Sequence, residues 1–212
     1  MTTVLVDYEA GNLHSAEKAF QRMAAETGAG EIRVTGDPAA VAAAARIVLP
    51  GDGAFAACRA ALEARPGLMA ALRSAVIGRR VPFLGICVGM QMLADRGEEG
   101  VETAGLGWIG GTVRRIRPDD PTLKIPHMGW NDLRIERAHP VLEGVETGAH
   151  AYFVHSYHFV VADPRDRLAS VDHGGPITAI VARDNIVGTQ FHPEKSQSAG
   201  LRLIANFLRW QP

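Results

Sequence analysis

Two glycines frame a cysteine in Gly85-Ile-Cys-Val-Gly89. A glycine weakens any strand that contains it, so a pair spaced this way needs a reason. Val81-Pro-Phe-Leu-Gly-Ile86 reads as a buried strand and Val88 to Asp95 as a helix, which puts Cys87 on the turn between them. That is the nucleophile-elbow pattern, with cysteine in place of serine. Side chains two residues before and two after the cysteine would collide across so sharp a turn, and Gly85 and Gly89 remove them. A helix N-terminus beside the sulfur favours the thiolate, the reactive form. The Val88 N–H points to where an oxyanion would develop. Plain packing, the commoner fate of a lone cysteine, explains neither glycine. Cys58, inside Ala56-Ala-Cys-Arg-Ala-Ala-Leu62, reads as packing.

A cysteine nucleophile needs a base, and Gly188-Thr-Gln-Phe-His-Pro-Glu-Lys195 offers His192. Pro193 biases His192 toward extended backbone, where residues two apart face the same way. His192 and Glu194 are therefore expected side by side, the carboxylate orienting the imidazole. A second oxyanion donor is needed as well. Leu49-Pro-Gly-Asp-Gly-Ala-Phe55 ends a strand expected to neighbour the elbow strand, and its glycines permit close backbone approach to a ligand. The peptides of Gly51, Asp52 and Gly53 are the candidates.

Positioning these groups requires a scaffold. Strand-like runs at Val4–Val6, Glu31–Val34, Arg46–Leu49 and Val81–Ile86 alternate with helical sequence: from Asn12, a candidate cap, through Met23; from Pro38 to about Ala45; and from the glycine loop to about Gly78. Such alternation predicts a parallel sheet covered on both faces. The second half is strand-rich, at Thr112–Arg117, Trp130–Ile135, Ala151–Val161, Arg167–Val171, Thr178–Arg183 and Ile186–Gln190, which predicts an antiparallel extension. A last helix carries Leu201, Ile204, Ala205 and Leu208 on one face. The expected fold class is α/β: a mostly parallel central sheet flanked by helices, with that extension, in a single domain over 1–212.

Bulk properties narrow the function. The 212 residues carry a formal net charge of −1 and only two cysteines, in no CxxC pairing. A chain of this size buries roughly 70% of its unfolded surface, so no disulfide or structural metal is needed. Arg114-Arg115-Ile-Arg117 alternates as a solvated sheet face does, and neither nucleic acid nor an anionic membrane is an expected partner. The start lacks the pattern of a signal peptide, and no apolar run approaches the ~20 residues of a membrane span. A cytoplasmic location is expected.

The motifs Gly-Ile-Cys-Val-Gly-Met-Gln91 and His192-Pro-Glu194 resemble those of class I (triad) glutamine amidotransferases. Asp7-Tyr-Glu-Ala-Gly-Asn-Leu13, Pro50-Gly-Asp-Gly-Ala-Phe55, Pro126-His-Met-Gly-Trp-Asn131 and Tyr152-Phe-Val-His-Ser-Tyr157 narrow the resemblance to the glutaminase subunits of imidazole glycerol phosphate synthase, across nearly the whole chain. The resemblance implies hydrolysis of L-glutamine through a thioester on Cys87, with His192 as base and then acid and Glu194 orienting it. It implies that Gln91 and the backbone near Ser156 and Tyr157 hold the substrate. Ammonia would pass to a (β/α)8 cyclase subunit in histidine biosynthesis, with Asn12, Trp130 and Lys195 at or near the interface. No cofactor and no metal is implied. Two positions depart from the family pattern: Glu9, where glycine is usual, and Asp52, where an apolar residue is usual. The alternatives are a glutaminase of another pathway, a cysteine hydrolase acting alone, and a non-catalytic scaffold that regulates a barrel partner.

Overall fold

The computed structural model describes residues 1–10 and 13–212; Asn12, the expected helix cap and interface residue, lies outside them. The first half alternates as the apolar runs require. Its elements are β1 (Thr2–Val6), α1 (Leu13–Thr27), β2 (Glu31–Thr35), α2 (Pro38–Ala43) and β3 (Arg46–Gly51), then α3 (Phe55–Glu63), α4 (Leu68–Arg73), β4 (Phe83–Cys87) and α5 (Val88–Gln91). The Asp37 carboxylate caps α2 by accepting from the N–H groups of Ala39 and Ala40, at 3.0 and 3.3 Å. Such a cap is worth about 1 kcal/mol. The helical stretch expected to run to Gly78 is broken, because Gly67 adopts φ 79° after Pro66 and restarts the chain as α4, which ends in a π turn over Ser74–Gly78.

The second half contributes β5 (Arg96–Gly97), β6 (Thr103–Ala104), β7 (Gly111–Arg115), β8 (His127–Asp132), β9 (Arg134–Ile135), β10 (His150–His155) and β11 (Tyr157–Val161). It ends with β12 (Arg167–Asp172), β13 (Pro176–Arg183), β14 (Ile186–Thr189) and α6 (Gln197–Arg209). Ala151–Val161, read as one strand, is two. The chain breaks at Ser156, and β10 pairs with β8 while β11 pairs with β7 in another sheet. Trp130–Ile135 likewise splits at Leu133, whose side chain is buried.

Eight strands form the main sheet in the order β2-β1-β3-β4-β14-β13-β12-β9. The pairs from β2 through β14 are parallel and the remainder antiparallel. β1 steps to β2 on one side while later crossovers step the other way, so right-handed connections place α1 on the face opposite α2, α3 and α4. α6 packs against α1. The buried face of α6 is Leu203, Ile204, Phe207 and Leu208; Leu201 and Ala205 lie only at its edge, so the apolar stripe is rotated from the one expected. Burying Phe20 of α1 and Phe207 of α6 contributes about 1.5–3 kcal/mol each. No helix among the described residues is long and apolar enough to cross a membrane.

Strand order is what matters for chemistry. β3, β4 and β14 lie side by side and parallel, so their carboxyl ends open at one edge of the sheet. Open α/β sheets bind ligands at that edge.

Candidate active site

Cys87 ends β4 with φ 55° and ψ −112°, a conformation that costs a residue bearing a Cβ ~1–3 kcal/mol. The surroundings hold it there. A Cβ on Gly85 would fall 2.5 Å from the Gly89 carbonyl oxygen, so this glycine clears the turn as expected. Gly89 acts differently. A Cβ there would overlap the Leu49 carbonyl oxygen, so this glycine lets α5 lie against β3. Gly51 completes the contact, since its Cβ would sit 2.6 Å from the Gly89 nitrogen. The elbow and the glycine loop therefore fit together only without side chains.

The helix expected to reach Asp95 stops at Gln91. Beyond Gln91 the chain leaves the helical path: the Asp95 N–H donates to the Gly111 carbonyl, and the Met92, Leu93 and Ala94 carbonyls accept from the N–H groups of Leu106, Trp108 and Gly107. So short a helix has little macrodipole, and what it offers the sulfur is the N–H groups of its first turn.

His192 is reached from the end of β14. Its backbone is extended, as expected, with φ −89° and ψ 102°. Glu194 joins it by another route than strand alternation: Pro193–Lys195 form a 3-10 turn, which Pro193 favours because its φ is preset. The turn is tied down from both sides, with the Ser196 hydroxyl donating to the His192 carbonyl (2.7 Å) and accepting from the Tyr152 N–H (3.0 Å). His192 Nδ1 lies 2.8 Å from Glu194 Oε1, and both side chains are buried. Burial pushes the imidazole's basicity down; hydrogen bonds to Cys87 and Glu194, with their negative charges, outweigh it and carry the pKa up to about 10. With Nδ1 on Glu194, Nε2 is left for the thiol.

Cys87 opens into a cavity of about 230 Å³ that is also lined by Val88, Gln91, Asp52, Gly53, Ser156 and Tyr157. That is below the ~300–1,000 Å³ of clefts for drug-sized ligands and suits a small molecule. Two larger grooves, of about 690 and 700 Å³, border Ile135–Val145 and Arg114–Arg117 and contain no member of the triad. Chemistry, not volume, identifies the site.

Some expected binding groups are already engaged. Gln91 Nε2 donates to the Tyr157 carbonyl (3.0 Å) and to Gln190 Oε1 (3.0 Å), which leaves its own Oε1 for a ligand. The Tyr157 carbonyl also meets His155 Nδ1 at 2.8 Å, so both its lone pairs are taken. Asp52 is exposed, and among the described residues its carboxylate makes no hydrogen bond to Cys87 or His192. Trp130 and Met128, two apart on β8, are exposed beside the triad's turn, and Trp130 lies edge-on to Tyr152 at 5.7 Å. Lys195 is exposed too.

Sequence reasoning missed four residues. Gln190, fully buried, donates to the Cys87 sulfur at 3.8 Å. Tyr8 donates to the Pro50 carbonyl at 2.6 Å, and Cys58 donates to the Asp52 carbonyl at 3.3 Å. Cys58 therefore does more than pack: with Tyr8 it holds the glycine loop. Glu99 lines the cavity and accepts from the Phe55 N–H (2.8 Å), leaving a carboxylate oxygen for a ligand's ammonium group. The local signal for Gln190 and Tyr8 was their place in the Gly188–Lys195 and Asp7–Leu13 motifs.

Residues 4–210 match the protein family described as glutamine amidotransferase class-I. A protein of Cereibacter sphaeroides named imidazole glycerol phosphate synthase subunit HisH is 68% identical over 212 residues, covering 100% of both chains. The protein of that name from Ruegeria pomeroyi is 63% identical over the same span, again covering 100% of both. Among solved structures, a glutamine amidotransferase superposes with TM-score 0.73 at 18% identity, covering 98% of this chain and 97% of that one. Another, from Thermotoga maritima, gives TM-score 0.63 at 18% identity, covering 92% and 76%. At such identities the structures speak for the fold alone.

Proposed function

The chain belongs to the class-I glutamine amidotransferases and, within them, to the HisH subunits of imidazole glycerol phosphate synthase, and on that premise we propose how its residues share the chemistry. The chain hydrolyses L-glutamine to glutamate and ammonia as the glutaminase subunit of that synthase. Cys87 attacks the side-chain amide carbon. The oxyanion that forms is met by the Val88 N–H and by a peptide of the Gly51–Gly53 loop. His192, protonated and held by Glu194, gives its proton to the departing nitrogen, and ammonia leaves the γ-glutamyl thioester. Water then attacks the thioester carbon while His192 takes its proton; the C–S bond breaks and glutamate is released. Gln91, Glu99 and the Ser156–Tyr157 segment hold the amino-acid end of the substrate.

The observation that carries this reading is the hydrogen bonding of His192 to both Cys87 and Glu194, with Cys87 opening into a cavity that the glycine loop also lines. The ammonia goes to a (β/α)8 cyclase, which docks where Trp130 and Lys195 are exposed and where Asn12 lies in the sequence. The whole chain, 1–212, works as one glutaminase domain in the cytoplasm. Cys87→Ala tests the division of labour. It should abolish glutamine-dependent synthesis by the assembled synthase and leave ammonium-dependent synthesis largely intact. Failure of ammonium to rescue a folded, assembled variant would overturn it.

A further inference from the structure

Five buried or half-buried histidines stand outside the triad among the described residues, and two of them face each other across β8 and β10, where His127 pairs with His155. His155 is the last residue of β10, one before the break at Ser156 where the chain leaves one sheet for another. Its Nδ1 lies 2.8 Å from the Tyr157 carbonyl. A carbonyl only accepts, so Nδ1 carries the proton and Nε2 is an acceptor. His127 Nδ1, 2.9 Å away, must then be the donor to it. That leaves His127 Nε2 as an acceptor, and Asn131 Nδ2 supplies the proton at 3.1 Å while also donating to the Asp172 carbonyl at 2.8 Å.

Every donor and acceptor in this chain is assigned, in one direction, with both imidazoles neutral. Burial supports that state, lowering His127 to about 4 and His155 to about 3. The ring of His127 is clamped as well, stacked on Phe153 at 4.8 Å and on His173 at 4.3 Å, and His173 Nε2 donates to the Lys124 carbonyl. Nothing in the triad uses these groups. Their end point is the Tyr157 carbonyl, which is also the anchor of Gln91.

We propose that His155, with its tautomer set by His127, is a positioning residue for glutamine: it locks the corner at Ser156 and so places the Ser156–Tyr157 backbone and the Gln91 amide for substrate. The inference rests on the proposed roles of Gln91 and the Ser156–Tyr157 segment. His155 lines the cavity that Cys87 opens into, but among the described residues neither it nor His127 hydrogen-bonds to the sulfur or to His192, so their removal bears on binding more than on the chemical step.

The test is steady-state glutaminase kinetics in the assembled synthase. Thermal melting and ammonium-dependent synthesis report folding and assembly. His155→Ala should raise KM for glutamine about tenfold or more with kcat changed less than about threefold. His155→Asn, which keeps a donor at the Nδ1 position, should recover most of the loss. His127→Phe, which keeps the stacking and removes the relay, should raise KM by a smaller factor and serves as the reading if His155→Ala fails to fold. An unchanged KM in a folded His155→Ala or His127→Phe variant, or a loss confined to kcat, would overturn the proposal. Loss of glutamine turnover by Gln91→Ala with normal behaviour of both histidine variants would overturn it too, and would leave the glutaminase reading standing.

Discussion

At the scale of single residues, the site is organised around one proton. In the proposed mechanism the His192–Glu194 pair keeps the imidazole charged and correctly turned, while His192 itself moves protons in both half-reactions. Glu194→Gln should therefore lower glutamine turnover less than His192→Ala, measured on folded variants in the assembled enzyme; equal losses would make the carboxylate essential to the chemistry. The raised basicity of His192 also has a consequence for stability. Its folded value, about 10, exceeds the ordinary histidine value of about 6.5, so its stabilising contribution is complete below about pH 6.5 and is lost as pH rises toward about 10. Melting temperatures of wild type and His192→Gln, compared from pH 6 to pH 10, should show wild type losing its relative advantage across that window. A constant difference would mean that His192 is not charged in the folded protein. Tyr8 is the third case. Its hydroxyl is held protonated by burial and donates to the Pro50 carbonyl beside the oxyanion loop. Tyr8→Phe leaves that buried carbonyl without its partner, a cost of ~1–3 kcal/mol. Melting should show the loss, and kcat should fall further than KM rises if the loop acts on the oxyanion as proposed.

At the scale of elements, the elbow works because β3, β4 and α5 approach without side chains between them. Gly89→Ala would set a methyl group on the Leu49 carbonyl oxygen, and backbone must move to relieve it. We expect a variant that is destabilised and has lost most of its glutaminase activity. Gly78→Ala is the control, because a Cβ there meets nothing within 4 Å. Its melting temperature and turnover should match wild type; if Gly89→Ala also matched, the close packing of α5 on β3 would be unimportant. Parts of this architecture were legible in the chain. The buried strands showed as short apolar runs, and the elbow showed in the glycines two residues either side of Cys87, although Gly89 turned out to serve the packing of α5 on β3 and not the turn itself. The true length of α5 did not show, because the groups that hold Met92–Asp95 off the helical path come from residues 106–108 and Gly111, which reach them only once the chain has folded back. The split of Ala151–Val161 at Ser156 was equally hidden, since both halves have strand composition and only their partners differ.

At the scale of the whole molecule, the catalytic edge depends on a strand that arrives last. β14 inserts beside β4, and this brings His192 to Cys87 across more than a hundred residues of chain. On the same edge the exposed Met128 and Trp130 offer an apolar patch beside the triad. Trp130→Ala should weaken association with the cyclase by about tenfold or more, measured by titration, without changing the melting temperature of the isolated chain; unaltered affinity would move the interface elsewhere. By itself the sequence pointed to Cys87, His192 and Glu194, the proposed nucleophile, base and orienting acid, along with the turn that presents the cysteine. These follow from residue type and spacing within segments of a few residues, where sterics and backbone preference act locally. Only the tertiary structure decided that Gln190 meets both Cys87 and Gln91, that Tyr8 and Cys58 hold the glycine loop, and that His127 sets the tautomer of His155. Those contacts join positions far apart in the chain, and sheet order and register bring them together, which no local pattern of residues encodes.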